Sequence, residues 1–158
     1  MNTILAHRMN DVKKALHSLC AELFKAKLKS VNDAIALQKE SSAGDTKSSA
    51  GDKFETGTAM THLELEKLGH QLKSLETSLG RLNAFEHTTP SAAIKAGSLI
   101  VTDRGVFWIS IGIGEVILAG KKYYVISPVS PIAQQFLGKK SGDNITFKKQ
   151  QHQILEVH

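Results

Sequence analysis

Two acidic residues stand three apart in Asp52-Lys53-Phe54-Glu55, within a near-duplication in which SSAGDTK is followed at once by SSAGDKF. At the start of a helix, carboxylates at this spacing project to nearly the same side, so they can share one divalent cation. The same pair reads equally as a capping box, Asp52 accepting from the Glu55 amide and Glu55 reaching back to the Asp52 amide. A cap and a metal contact are compatible. Asp45, the acid of the first copy, reads as solvent-facing loop. The whole stretch 41–59 is small, polar and glycine-containing, which predicts a turn rather than continued packed helix.

The elements on either side have to position that turn. From Val12 to about Glu40 apolar residues fall at helical spacing, with Asn10 as a plausible N-cap. They form two sets, Val12, Leu16, Leu19 and Leu23, then Phe24, Leu28, Val31 and Ile35. The sets are one residue out of phase, so the buried stripe must shift around the helix near Leu23 and Phe24, and each half can face a different neighbour. The second pattern is regular: Leu65, Leu68, Leu72, Leu75, Leu79 and Leu82 alternate steps of three and four, a coiled-coil seam. At 1.5 Å per residue, segments 12–40 and 58–86 would each be roughly 43 Å long. Matched lengths around a short polar turn predict an antiparallel coiled-coil hairpin over residues 1–86, its tip at 41–59. A parallel homodimer through the leucine seam is the competing arrangement, and it leaves the first helix unexplained.

Lys14, Lys25 and Lys29 lie close on a helical wheel and could contact a phosphate backbone, although lysines in such positions more commonly solvate an exposed face. His62 and His70 lack a ligand-type spacing, and no zinc site is read in them.

After Phe85 the character changes. Residues 87–97 read as a linker, Pro90 ending any helix before it. Over 98–158 short β-type runs appear at 98–102, 106–113, 115–118, 123–127, 144–147 and 153–157, with turn signals between them. Ile132 to Leu137 alone looks helical there, with Ser130 as its cap and Pro131 in its first position. The expected class is therefore α+β: a helical hairpin, then a compact antiparallel β domain with one short helix. Gly112-Ile113-Gly114 lacks the third glycine and following helix of a nucleotide-binding turn, and reads as a bulge or bend.

Composition sets the outer limits. The 158 residues are 41% hydrophobic, enough for one good core or a small domain plus an extended element. Cys20 is the sole cysteine, which removes disulfides and cysteine-rich zinc sites and suits a reducing compartment. The N-terminal residues hold no apolar run long enough for a signal peptide or membrane span, so a cytoplasmic protein is expected. Of the net charge of +5, residues 1–86 contribute 12 basic against 11 acidic side chains and residues 87–158 contribute 8 against 4. The basic excess lies in the C-terminal part, where it favours an acidic partner surface or nucleic acid without indicating sequence readout.

Ser127-Pro128-Val129-Ser130-Pro131-Ile132-Ala133, then Phe136-Leu137-Gly138-Lys139-Lys140 and Gly142-Asp143, resemble the C-terminal domain of the bacterial transcript cleavage factors GreA and GreB. In that family a Ser-Pro-Ile-Gly/Ala stretch, an apolar pair, Gly-Lys-Lys and Gly-Asp occur at this spacing. The resemblance extends over most of the chain, since the family has an N-terminal antiparallel coiled coil, a tip and an FKBP-like C-terminal domain in this order. The family's tip, approximately Gly-Asp-Leu-Ser-Glu-Asn-Ala-Glu-Tyr, aligns with Gly51 to Ala59. Gly51, Asp52 and Glu55 match; Lys53, Phe54, Thr56, Gly57, Thr58 and Ala59 differ.

What the resemblance implies is a monomer that docks its C-terminal domain on RNA polymerase, Pro128, Ser130, Pro131 and Ile132 facing the enzyme, and passes its coiled coil down the secondary channel. Asp52 and Glu55 would then help hold a second magnesium ion and its water against the RNA 3′ end of a backtracked complex. The polymerase supplies the other metal, so the chain is not itself an enzyme. The altered tip leaves open a regulator that occupies the channel without cleavage. A further alternative is an FKBP-like prolyl isomerase with a coiled-coil arm, its pocket to be built from Phe107, Trp108, Tyr123, Tyr124, Phe136 and Phe147.

Overall fold

The computed structural model describes residues 3–45, 51–85 and 89–158, with backbone alone for residues 3, 5–7, 44, 45 and 51–56. Two long helices come first, α1 (Thr3–Asp45) and α2 (Gly51–Ala84). There follow β1 (Leu99–Thr102), β2 (Gly105–Ile109), β3 (Gly114–Leu118), β4 (Lys121–Ile126), α3 (Pro131–Phe136), β5 (Asn144–Phe147) and β6 (Gln150–Val157). The class is α+β, as expected. No described helix is long and apolar enough to cross a membrane.

Both long helices overrun their expected limits. Asn10 lies inside α1 rather than at its cap, because nothing in Thr3–Met9 breaks a helix. Of the turn expected at 41–59, residues 41–45 and 51–59 are helical. α1 reaches Asp45 and α2 starts at Gly51, since adding a residue to an existing helix costs far less than starting one, and Ser and Ala tolerate it. Asp52 is accordingly the second residue of α2, and its side chain and that of Glu55 lie outside the described residues.

The chain divides into two compact units, Glu22–Leu79 and a second made of Met1–Ala21 with Gly80–His158. In the first, α1 and α2 contact each other. Phe24, Val31 and Leu68 are buried, while Leu28, Ile35, Leu65, Leu72, Leu75 and Leu79 are half-buried. Those are the positions of the apolar stripe, so its burial is what holds the segments together.

The stripe does move around α1, but at Cys20 rather than at Leu23 and Phe24, since Leu16, Cys20 and Phe24 form one buried line. Leu23 is 40% exposed while Phe24 is buried. N-terminal to it the fully covered positions are Leu16 and Cys20, each a step of four from the next, and Cys20 takes the place expected for Leu19. The shift falls at the boundary between the two units, which ends at Ala21 on α1.

In the second unit the strands form one sheet of order β3-β4-β2-β1-β6-β5. The sheet is mixed rather than wholly antiparallel: β2 and β4 run parallel, Val106 opposite Tyr123 and Trp108 opposite Val125. This corrects the antiparallel expectation. β3 folds back on the outer side of β4, which leaves β4 beside β2. The bend at Ser110–Ile113 permits this, so Gly112-Ile113-Gly114 is a change of direction and no helix follows it.

Strand alternation gives the sheet two apolar faces. One carries Ile100, Phe107, Ile109, Ile145 and Ile154 against Ala133 and Phe136 of α3. The other carries Leu99, Trp108 and Val125 in register, all fully buried, with His17 of α1 edge-on to Trp108 at 6.5 Å between ring centroids. Part of the expected linker 87–97 belongs to this unit. Ile94 is buried in the core, its N–H donates to the Lys139 carbonyl at 2.8 Å, and its carbonyl accepts from Gly138 at 2.8 Å. Gly138 has φ +81°, the left-handed region, which lets the chain turn back just past α3.

Candidate functional site

The turn before α3 is built from its own side chains. Ser130 has extended backbone (φ −67°, ψ 148°), so its hydroxyl can accept from the Ala133 N–H at 3.4 Å and cap α3. The same hydroxyl donates to the Ser127 carbonyl at 2.7 Å, and the Ser130 N–H donates to that carbonyl at 3.0 Å. Gln134 Nε2 closes the other side on the Pro128 carbonyl at 2.7 Å. Pro131 fixes the first helical position and donates no bond that would be missed.

These bonds hold one apolar side chain out in water. Val129 is 82% exposed at the apex between Pro128 and Ser130. Of the residues expected to face a partner, Pro131 is exposed, Pro128 and Ser130 are half-exposed, and Ile132 packs partly against the core. Val129 was not among them. The available signal was an apolar residue set between two prolines in a turn, where it has no core to join. The Val129 N–H itself donates to Ser127 Oγ at 3.4 Å, so the turn is held by its own side chains, and exposed residues on a scaffold held in this way are common binding elements.

The backbone sets Asp52 and Glu55 three residues apart in the first turns of α2. Asp45 closes α1, so it is helical rather than loop by its backbone. Among the described residues no three His, Cys, Asp or Glu side chains converge as metal ligands.

The three lysines are all exposed on α1. Lys25 lies 3.6 Å from Glu22, and Lys29 donates to Asp33 at 2.7 Å, which raises the Lys29 pKa. Their charge is partly matched within the helix, the arrangement of a solvated face. Lys14 belongs to the other unit. His70 does have a carboxylate neighbour that its spacing allowed, Glu66 at 3.8 Å, but both are exposed.

Cys20 is buried, and burial pushes its thiol up to about 11, far from the range of a reactive thiolate. The aromatic residues do not converge. Phe107, Tyr124 and Phe136 pack on one face of the sheet, Phe107 stacked on Tyr124 at 5.1 Å, whereas Trp108 lies on the other. They are spent on the core.

His152 is a buried titratable group that sequence reading passed over. Its ring packs edge-on against Phe107 (5.8 Å) and Phe136 (6.4 Å), and Nδ1 has no hydrogen-bond partner among the described residues. Burial holds its pKa below the usual value, the Arg104 guanidinium adds to this, and Asp103 opposes it. No protein-family model matches the sequence, and no curated protein matches it either.

Proposed function

We propose that the chain is a Gre-type secondary-channel factor: a coiled-coil hairpin with Asp52 and Glu55 at its tip, and an FKBP-like domain that docks on RNA polymerase. The observation that carries the reading is the pre-organised turn at Ser127–Pro131 with Val129 82% exposed, set beside a capped α3 in the segment that resembles the family's polymerase-facing one. Two long helices ahead of a mixed sheet, in that order, support it.

The tip chemistry follows from the donor set. Two carboxylates at i and i+3 suit magnesium, which commonly takes one or two protein carboxylates and keeps its other positions for water and phosphate oxygens. Asp52 and Glu55 would hold such an ion, which would supply an activated water for cleavage of backtracked RNA. Asp52 and Glu55 hold and orient; the chain alone hydrolyses nothing.

The test is addition of the full chain to backtracked polymerase. Shortened RNA is expected, and Asp52→Ala with Glu55→Ala should abolish shortening while binding persists. Unchanged RNA length despite demonstrated binding would refute cleavage. One sequence feature favours a second reading, a channel regulator without cleavage: Thr58 and Ala59 stand where the family has Glu and Tyr. On that reading the double alanine variant acts on the polymerase as the unaltered chain does.

A further inference from the structure

We infer that the β1–β2 turn and the β5–β6 ribbon together form a site for a small zwitterion, an α-amino acid with a polar side chain, separate from the tip and from the Ser127–Pro131 turn. Asp103, Arg104, Asn144, Gln151 and Gln153 line a hollow of about 350 Å³. One of these side chains is an anion, one is a cation and three are neutral amides, so the lining as a whole carries no net charge. A polyanion gains nothing from such a balance, because Asp103 opposes what Arg104 attracts. No apolar side chain is among the lining residues, so a lipid or an aromatic ring finds nothing to bury against. A small ligand that carries both charges itself fits the lining.

Both charges are held in place by the strand opposite. The Asp103 N–H donates to the Gln153 carbonyl at 3.2 Å, and the Gln153 N–H donates to Asp103 Oδ1 at 2.8 Å. Arg104 Nε donates to the Gln151 carbonyl at 2.7 Å, which pins the guanidinium to β6 two residues away. The turn is tied within itself by Thr102, whose hydroxyl accepts from the Arg104 N–H at 3.2 Å and donates to the Gly105 carbonyl at 2.9 Å. Acid and base are therefore fixed before any ligand arrives, and the cost of ordering them is already met in folding.

Each charge is engaged through one atom and keeps the rest. The other carboxylate oxygen of Asp103 and both Nη atoms of Arg104 have no partner among the described residues, and no ion pair joins the two side chains although they are neighbours in sequence. With Nε spent on Gln151, the guanidinium offers its end-on pair of N–H groups, which matches the two oxygens of a carboxylate. The remaining Asp103 oxygen accepts from an ammonium. An amino acid satisfies both at once, its α-carboxylate on Arg104 and its α-ammonium on Asp103. The side-chain amides of Asn144, Gln151 and Gln153 are unbonded among the described residues, and each can both donate and accept toward the ligand's own side chain.

The experiment follows the backbone amide resonances of the isotope-labelled full chain during titration with L-glutamine, acetate or methylammonium. L-Glutamine should shift the amides of Asp103, Arg104, Gln151 and Gln153, and should bind at least about tenfold more tightly than acetate or methylammonium, each of which offers one charge alone. Asp103→Asn keeps the oxygen that accepts from the Gln153 N–H and removes the charge, whereas Arg104→Lys keeps the charge and loses the paired N–H groups. Both variants should keep the melting temperature of the unaltered chain and bind L-glutamine about tenfold more weakly. Overturning results are amides that L-glutamine does not move, acetate or methylammonium binding as tightly as L-glutamine, or variants that bind L-glutamine as the unaltered chain does. None of these depends on RNA polymerase, so failure here is distinct from failure of the transcript cleavage reading.

Discussion

Replacing His152 by Leu should make the protein more stable and remove part of its sensitivity to acid. The imidazole is 6% exposed, wedged against Phe107 and Phe136, with Nδ1 unpartnered among the described residues. Leaving a buried polar atom unsatisfied costs about 1–3 kcal/mol, and Leu is close to His in volume, so Leu should recover a fraction of that at about pH 8. The pH dependence has a definite sign. Burial first, then Arg104, lower the folded-state pKa of His152 below its ordinary 6.5. Above that value the ring is neutral in both states and contributes no slope. Below it the unfolded chain takes up a proton that the folded chain refuses, so stability falls with pH by up to about 1.4 kcal/mol per unit until the folded pKa is reached. His152→Leu lacks this loss, and the other histidines cancel in the difference. Urea unfolding followed by fluorescence of Trp108, the sole and fully buried tryptophan of the same unit, provides the measurement. Wild-type and variant curves of stability against pH should keep a constant offset above about 6.5 and draw further apart below it. Parallel curves would refute the claim that the folded state excludes a proton from this ring.

Val129→Asp should weaken binding to RNA polymerase at least tenfold, because burying a valine is worth about 1.5–3 kcal/mol and each 1.4 kcal/mol is a factor of ten. Its melting temperature should not move, since Val129 is 82% exposed, and equal affinity in a titration would remove the turn from the interface. Leu16→Ala and Leu23→Ala test the shift of the stripe in α1. Leu16 is fully buried and should cost about 2–5 kcal/mol, whereas Leu23 is 40% exposed and should cost under about 1 kcal/mol, read by the same urea unfolding. Equal losses would place both on one continuous seam.

The legible parts of this chain are those decided by neighbours a few residues away. A Ser-Pro pair before an apolar run specifies α3, and Ser130 caps it with Pro131 in the first position. Leucines at alternating threes and fours specify the covered side of α2. That the stripe slips by one residue is visible too, but its place is not: that Cys20 rather than Leu19 continues the buried line depends on which element covers that turn of α1. The parallel pairing of β2 with β4 was out of reach for the same reason, since β3 hairpins against β4 by local signals that are identical whichever side β4 then takes.

Lys148-Lys149 shows the limit from the other direction. The run 144–147 reads as a strand, yet β6 begins at Gln150 and not at 153, because a tight turn normally announces itself by Asn or Gly and this one does not. Where a turn is made against its residue preferences, local reading lengthens the loop and loses the ribbon face beside it. Asn144, Thr146, Gln151 and Gln153 then look like unrelated polar residues, and only the pairing of β5 with β6 aligns them.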